Sequence, residues 1–302
     1  MNNIVKRFLN SVRKVNILDA PFAKGSKLNG SAHFPDIIKK YELNNLLRNN
    51  ISKTFPLISD KTQYEVGEYC NYLHDAIINN PTIVDDFLLV LGGDHSISIG
   101  NVNALHKLRP NTGVIWVDAH ADINTSETSP TGNIHGMPLA FLLGIEKKLI
   151  NEEHWKWFSY SGLQPKDLVY IGLRDVDDGE KDILNKYGIK YYTMDDVNNH
   201  TIEKIMLDVK QYFDINNNKK NIHLSFDVDS INPNILPHTG VTVDGGLNEK
   251  QAIFICKTLA DTGKLNSMEL VELNTELRNN NIPLNKSLDI CVKLIENAIT
   301  IH

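Results

Sequence analysis

The chain has 302 residues, 41% hydrophobic, 8% aromatic and 23% charged, with 31 Lys and Arg against 37 Asp and Glu for a formal net charge of -6. That is the composition of a globular protein long enough to bury a large core, and its mild acidity offers no phosphate-tracking surface, which argues against nucleic acid as the main partner. The longest apolar runs, Phe87 to Leu91 and Leu139 to Ile145, fall far short of the ~20 residues that cross a bilayer, so no membrane partner is expected.

Residues 1–14, MNNIVKRFLNSVRK, are basic and free of acids but lack the continuous apolar run of a secretory signal. They read as a short surface arm on one domain covering residues 1–302, with cytoplasmic residence expected and organellar import the minority reading. The first strand is expected at Val15 to Asp19, and helical periodicity follows over Pro35 to Arg48 and Gln63 to Ile78. Phe87 to Leu91 reads as a buried strand, Ile97 to Leu108 as a helix, and Val114 to Asp118, Leu168 to Gly172 and Ile189 to Tyr192 as three further strands. A helix over Ile202 to Phe213 precedes a strand at Ile222 to Asp227. A helix over Glu249 to Ala260, a strand at Ser267 to Leu273 and a helix over Leu284 to Ala298 complete the pattern. Alternation of this kind predicts a mostly parallel sheet with helices on its faces. Asn216 to Asn218 and Asn279 to Asn281 read as turns. Cys70, Cys256 and Cys291 are odd in number and lack CxxC spacing, so they read as reduced core residues of an intracellular protein and not as a disulfide framework or structural zinc site.

In open parallel sheets ligands collect beyond the carboxyl ends of the strands, and the polar clusters of this sequence stand there. Gly92-Gly93-Asp94-His95-Ser96 follows one strand, and Asp118-Ala119-His120-Ala121-Asp122 follows the next, with its polar residues at i, i+2 and i+4. Strand geometry puts those three side chains on one face. Asp227-Val228-Asp229 closes a third strand. Two imidazoles and four carboxylates are thus directed to one locus. Like charges raise one another's pKa, so four ionised carboxylates need compensating cations, and two divalent ions would balance them. Carboxylate and imidazole ligands without thiolate favour Mn²⁺ or a similar borderline-hard metal, and two such ions sharing carboxylates depress the pKa of a shared water. These residues predict a two-metal hydrolase. Taken singly the motifs have plainer uses: Asp94 could merely cap the following helix, and Asp227 with Asp229 could be two loop acids.

The three motifs, the last extending as Ser225-Phe226-Asp227-Val228-Asp229-Ser230-Ile231-Asn232-Pro233, resemble the signatures of the ureohydrolases, the arginase and agmatinase family. The resemblance runs from Ala20-Pro21-Phe22-Ala23-Lys24-Gly25 to the last strand. It implies a three-layer α/β/α fold around two Mn²⁺, with His95, Asp118, Asp122 and Asp227 on one ion and His120, Asp118, Asp227 and Asp229 on the other. The segment from Asp122 to Pro138 is similar to the arginase subgroup, which implies L-arginine as substrate and L-ornithine and urea as products. On that likeness Asn124, Thr131 and Asn133 meet the substrate α-carboxylate, and Asp177, with Glu180 on the same approach, meets the α-ammonium. His135 matches a loop histidine that relays protons, Glu272 a glutamate that holds the guanidinium, and Asp122 passes a proton to the leaving amine. Three positions depart from the pattern: Thr131 where the family usually has Ser, Asp178 where it often has Pro, and Val241 in place of a common Thr. Asp178 also reads as a first-turn helix acid, and Glu272 as a strand-end residue binding backbone amides. The resemblance implies a homotrimer, or a hexamer of two trimers. The alternatives are another ureohydrolase, an agmatinase or formiminoglutamase, and a non-catalytic metal-binding relative.

Overall fold

The structure, a computed structural model, describes residues 11–47, 51–56, 64–215 and 220–301. Residues 1–10 of the arm, Arg48 and Gln63 at the ends of two expected helices, the Asn216 to Asn218 turn and His302 lie outside them.

The described residues form ten strands: β1 (Ser11–Val12), β2 (Val15–Ala20), β3 (Ile51–Pro56), β4 (Phe87–Gly92), β5 (Thr112–Val117), β6 (Leu168–Leu173), β7 (Lys190–Thr193), β8 (Asn221–Asp227), β9 (Leu265–Val271) and β10 (Thr300–Ile301). Eight form one sheet in the order β3-β2-β4-β9-β8-β5-β6-β7, and every neighbouring pair is parallel. Expected as mostly parallel, the sheet is wholly so. All seven expected strands are found within a few residues of their predicted bounds. β3 was not anticipated; it lies at one edge of the sheet, paired with β2 alone.

β2, β4, β5 and β6 are buried at every position, and alternate residues serve opposite faces. Leu89, Leu91, Ile115, Val117, Leu224 and Phe226 pack with Ile205, Val209, Ile255, Leu259, Leu294 and Ile295 from the helices Ile202–Tyr212, Glu249–Asp261 and Leu284–Ile299. Leu88 and Val90 face Tyr69, Leu73 and Leu105 of the helices Val66–Ile78 and Ser98–Leu108. Helices therefore cover both sides of one sheet, a three-layer α/β/α arrangement. The helix expected at Pro35 to Arg48 is interrupted: Phe34–Ile38 and Asn44–Leu47 are α-helical, with a turn of π-helix at Lys39–Leu43 between them. Three helices escaped the periodicity: Pro138–Leu142, Asp178–Tyr187 and Met194–His200. Two are short, and the acidic first turn of Asp178–Tyr187 carries few apolar residues to betray the period.

Of the arm, residues 11 and 12 pair antiparallel with β10, and the Arg13 guanidinium donates to the carbonyls of Ala260, at 2.8 Å, and Leu265. Among the described residues no helix is long and apolar enough to cross a membrane.

Candidate active site

Parallel strands end at the same edge, and the four central neighbours β4, β9, β8 and β5 bring their carboxyl ends together. His95 follows β4, Asp118 to Asp122 follow β5, Asp227 closes β8 with Asp229 just beyond, and Glu272 follows β9. Asp177 ends the loop after β6 as the N-cap of the helix Asp178–Tyr187, and Glu180 lies in that helix's first turn. The turn after β4 requires glycine: a Cβ on Gly93 would stand 1.8 Å from the Phe22 carbonyl oxygen.

His95 Nδ1 lies 3.1 Å from Asp118 Oδ2, 3.0 Å from Asp122 Oδ2 and 3.1 Å from Asp227 Oδ2. A single ring N–H cannot satisfy three carboxylate oxygens, and Nδ1 has no hydrogen bond of acceptable geometry. His120 Nδ1 stands 3.0 Å from Asp229 Oδ2 and 3.5 Å from Asp118 Oδ1. Two groups suited to a cation result, His95-Asp118-Asp122 and Asp118-His120-Asp229, sharing Asp118, and Asp227 approaches the first. All four acids are buried. Burial, then the Asp118 carboxylate, raises Asp122 to about 6; burial, then Asp229 and Asp118, pushes Asp227 well above the ordinary carboxylate range. Such a donor set fits two divalent cations and is poorly served by protons alone.

The surrounding bonds aim these groups. Ser225 Oγ, 2.7 Å from His95 Nε2, occupies the other ring nitrogen and leaves Nδ1 directed at the carboxylates. Trp116 stacks on the His95 ring with centroids 4.1 Å apart and donates from Nε1 to Asp118 Oδ2 at 2.9 Å. The backbone N–H of His120 donates to Asp118 Oδ1 at 2.7 Å, that of Ala119 to Asp229 Oδ1 at 3.1 Å, and that of Asp229 to Asp227 Oδ1 at 2.8 Å. Asp122 (φ 50°) and Glu272 (φ 67°) both occupy left-handed backbone, uncommon for these residue types, at a cost of about 1–3 kcal/mol each that the surrounding packing must offset.

A pocket of about 230 Å³ opens over the cluster. His120, Asp122, Asp227, Asp229, Asn124, Thr131, Asn133, His135, Asp177, Glu180 and Glu272 all line it, while His95 and Asp118 lie behind its wall. Asn124 Nδ2 donates to Asp177 Oδ2 at 2.9 Å, and the Asn133 N–H to Thr131 Oγ1 at 3.2 Å. Glu180 accepts from the backbone N–H groups of Ile123 at 3.2 Å and Asp177 at 3.0 Å. Glu272 Oε1 accepts from the His95 backbone N–H at 2.9 Å and meets His135 Nδ1 at 3.0 Å. Burial disfavours the His135 imidazolium, yet the Glu272 carboxylate outweighs it and lifts His135 to about 9. Val241, at the pocket rim, is exposed.

The plainer readings also find their places. Asp94 accepts from the Ser96 N–H and the Ser96 hydroxyl and from the Ser26 N–H at 3.0 Å, so it caps the turn into the next helix. Asp178 is the first residue of the helix Asp178–Tyr187. His238 is buried against Ser287 and His223 against Ser267. His106 is buried, and neither ring nitrogen has a hydrogen bond of acceptable geometry among the described residues. Two supporting residues were missed from sequence, Ser225 and the fully buried Glu269, which face each other across the β8–β9 ladder. A glutamate in the middle of Ser-Met-Glu-Leu-Val was the available signal, since a buried strand acid needs partners; here Ser98 Oγ at 2.7 Å and Asn101 Nδ2 at 2.5 Å provide them.

Comparison with known proteins matches residues 13–300 to the arginase family. The hepatic arginase of Aquarana catesbeiana is 36% identical, with 95% of this chain and 94% of that protein covered. The crystal structure of arginase from Bacillus subtilis superposes with a TM-score of 0.82 at 32% identity, covering 95% of this chain and 98% of that one. Arginase from Entamoeba histolytica, solved in complex with L-ornithine, gives a TM-score of 0.82 at 28% identity over 95% and 99% of the two chains.

Proposed function

The chain belongs to the arginase family, and on that premise we propose that it is a metal-dependent hydrolase converting L-arginine and water to L-ornithine and urea, with two Mn²⁺ per subunit. The observation that carries the metal reading is the convergence of three carboxylate oxygens on the unbonded His95 Nδ1. In this reading His95, Asp118, Asp122 and Asp227 hold one ion, and His120, Asp118, Asp227 and Asp229 the other. When bound, the pair would neutralise the four acids and activate water for attack on the guanidinium carbon.

The chain's own residues do the rest. Glu272, reachable from the pocket, accepts guanidinium N–H groups and fixes the carbon near the cluster. Asp122, beside that point, takes a proton from the attacking water and passes it to the leaving amine. His135, with Nδ1 held by Glu272, exchanges protons with solvent at the pocket mouth. Asn124, Thr131 and Asn133 receive the α-carboxylate through amide and hydroxyl groups, while Asp177 takes the α-ammonium. Both Glu180 oxygens already accept backbone N–H bonds, so its share is support of Asp177. Val241 offers no hydroxyl at the guanidinium end, which places more of that recognition on Glu272. Cytoplasmic residence, assembly as a trimer or a hexamer of two trimers, and supply of ornithine as a polyamine precursor accompany this reading.

The test is urea release from L-arginine and agmatine in parallel by manganese-loaded protein, with a chelated control. Metal-dependent urea from arginine is expected. Urea from agmatine alone would overturn the substrate assignment, because agmatine lacks the α-carboxylate, and silence on both would favour a non-catalytic relative.

A further inference from the structure

One buried carboxylate near the pocket belongs to none of the groups assigned above. Glu146 is 1% exposed and follows the short helix Pro138–Leu142. Four donors surround it. Oε2 accepts from the Ser126 backbone N–H at 2.7 Å, and Oε1 from the Ser126 hydroxyl at 3.1 Å and the N–H groups of Lys148 at 2.7 Å and Leu149 at 2.9 Å. Although burial opposes ionisation, these donors hold the carboxyl below the ordinary glutamate range, so the bonds are charge-assisted.

The two ends of this contact belong to different parts of the site. Glu146 is tied to the helix after His135, because the N–H groups of Ile145 and Glu146 both donate to the Ala140 carbonyl, at 2.7 and 2.9 Å. Ser126 lies in the segment between Asn124 and Asn133. That segment is closed at its base by the Asn124 N–H to the Gly136 carbonyl at 3.1 Å and by Asn124 Nδ2 to Asp177 Oδ2 at 2.9 Å, and beyond Asn124 its remaining bonds are short-range, such as Thr128 Oγ1 to Asn124 Oδ1 at 2.9 Å, apart from those of Ser126 to Glu146. Its tip, Pro130 to Gly132, is exposed. Bonds within the loop fix its own shape; the Glu146 carboxylate fixes its place relative to His135.

We propose that Glu146 is a positioning residue for substrate recognition, holding the Asn124 to Asn133 loop where it meets the amino-acid end of the substrate. The inference rests on the reading of that loop as the α-carboxylate receiver. Glutamine fits the same space but cannot substitute: all four neighbours donate, so its NH₂ group must face a donor on one side.

Glu146→Gln in the manganese-loaded protein is the test, with steady-state kinetics on L-arginine and hydrogen–deuterium exchange on the substrate-free protein. KM is expected to rise about tenfold with kcat held within about twofold, and exchange to quicken over residues 124–133 while β4, β5, β8 and β9 keep their protection. Ser126→Ala, which removes only the hydroxyl arm, should raise KM in the same direction by a smaller factor, and it serves if Glu146→Gln does not fold. Unchanged KM and loop exchange in both variants would overturn the proposal, as would faster exchange throughout the chain with kcat falling at constant KM. Should the wild-type protein release no urea from arginine, the functional reading fails, while loop exchange still decides whether Glu146 anchors the segment.

Discussion

Asp122 combines a left-handed backbone with a carboxylate 3.0 Å from His95 Nδ1, and both follow from its place at the turn that leaves β5. The Asp122 carbonyl accepts from Leu139 N–H at 3.0 Å, so the next helix holds the turn from the other side. Asp122→Asn keeps the shape and removes the proton acceptor; we expect kcat for urea release to fall by about 10²–10⁴-fold, and near-normal turnover would refute the role. Glu272 acts on His135 by charge as well as by contact. In the metal-free protein, NMR titration should find the His135 pKa raised toward about 9, and Glu272→Gln should return it toward the ordinary ~6.5. The sign for stability follows: a histidine pKa raised by folding stabilises fully below the unfolded value and loses that contribution as pH rises through about 9.

At the scale of elements, the site depends on tight turns between buried strands and the helices that follow. Gly93 is the clearest case, since its Cβ would overlap the Phe22 carbonyl oxygen at 1.8 Å and backbone cannot move aside cheaply. Gly93→Ala should cost about 1–3 kcal/mol from overpacking, read as a lower urea midpoint at unchanged m-value, and an unchanged midpoint would show that the turn relaxes. The helix Asp178–Tyr187 shows the same economy with different chemistry. Asp177 and Glu180 form its capping box, so the acids proposed to meet the substrate ammonium also satisfy the helix's first N–H groups.

For the whole molecule, folding gathers four buried acids and two histidines at the carboxyl ends of neighbouring strands, which opposes folding unless, as proposed, cations balance the charge. Ions that bind only the folded chain add stability by mass action, about 2.7 kcal/mol at one hundred times the dissociation constant. Removing metal with a chelator should therefore lower the melting temperature and abolish urea release together, and returning Mn²⁺ should restore both. A melting temperature indifferent to chelator would place the cation elsewhere.

Much of this was legible in the order of residues because parallel strands buried on both faces read as continuous apolar runs, and because Asp-x-His-x-Asp at one strand end joined to Asp-x-Asp at another has few uses besides metal binding. Seven of the eight strands of the large sheet, the helices with a clear apolar period and the His- and Asp-bearing motifs were all set by such local patterns. What the pattern could not contain was adjacency. The entry of β8 and β9 between β4 and β5 brings His95 to Asp118 and Asp227, and no spacing along the chain encodes which strands become neighbours. For the same reason the partners of Ser225, Glu269 and Glu146 were not legible: His95 lies 130 residues from Ser225, Ser98 171 from Glu269 and Ser126 20 from Glu146, and these hydrogen bonds exist only once the sheet has closed and its loops have met.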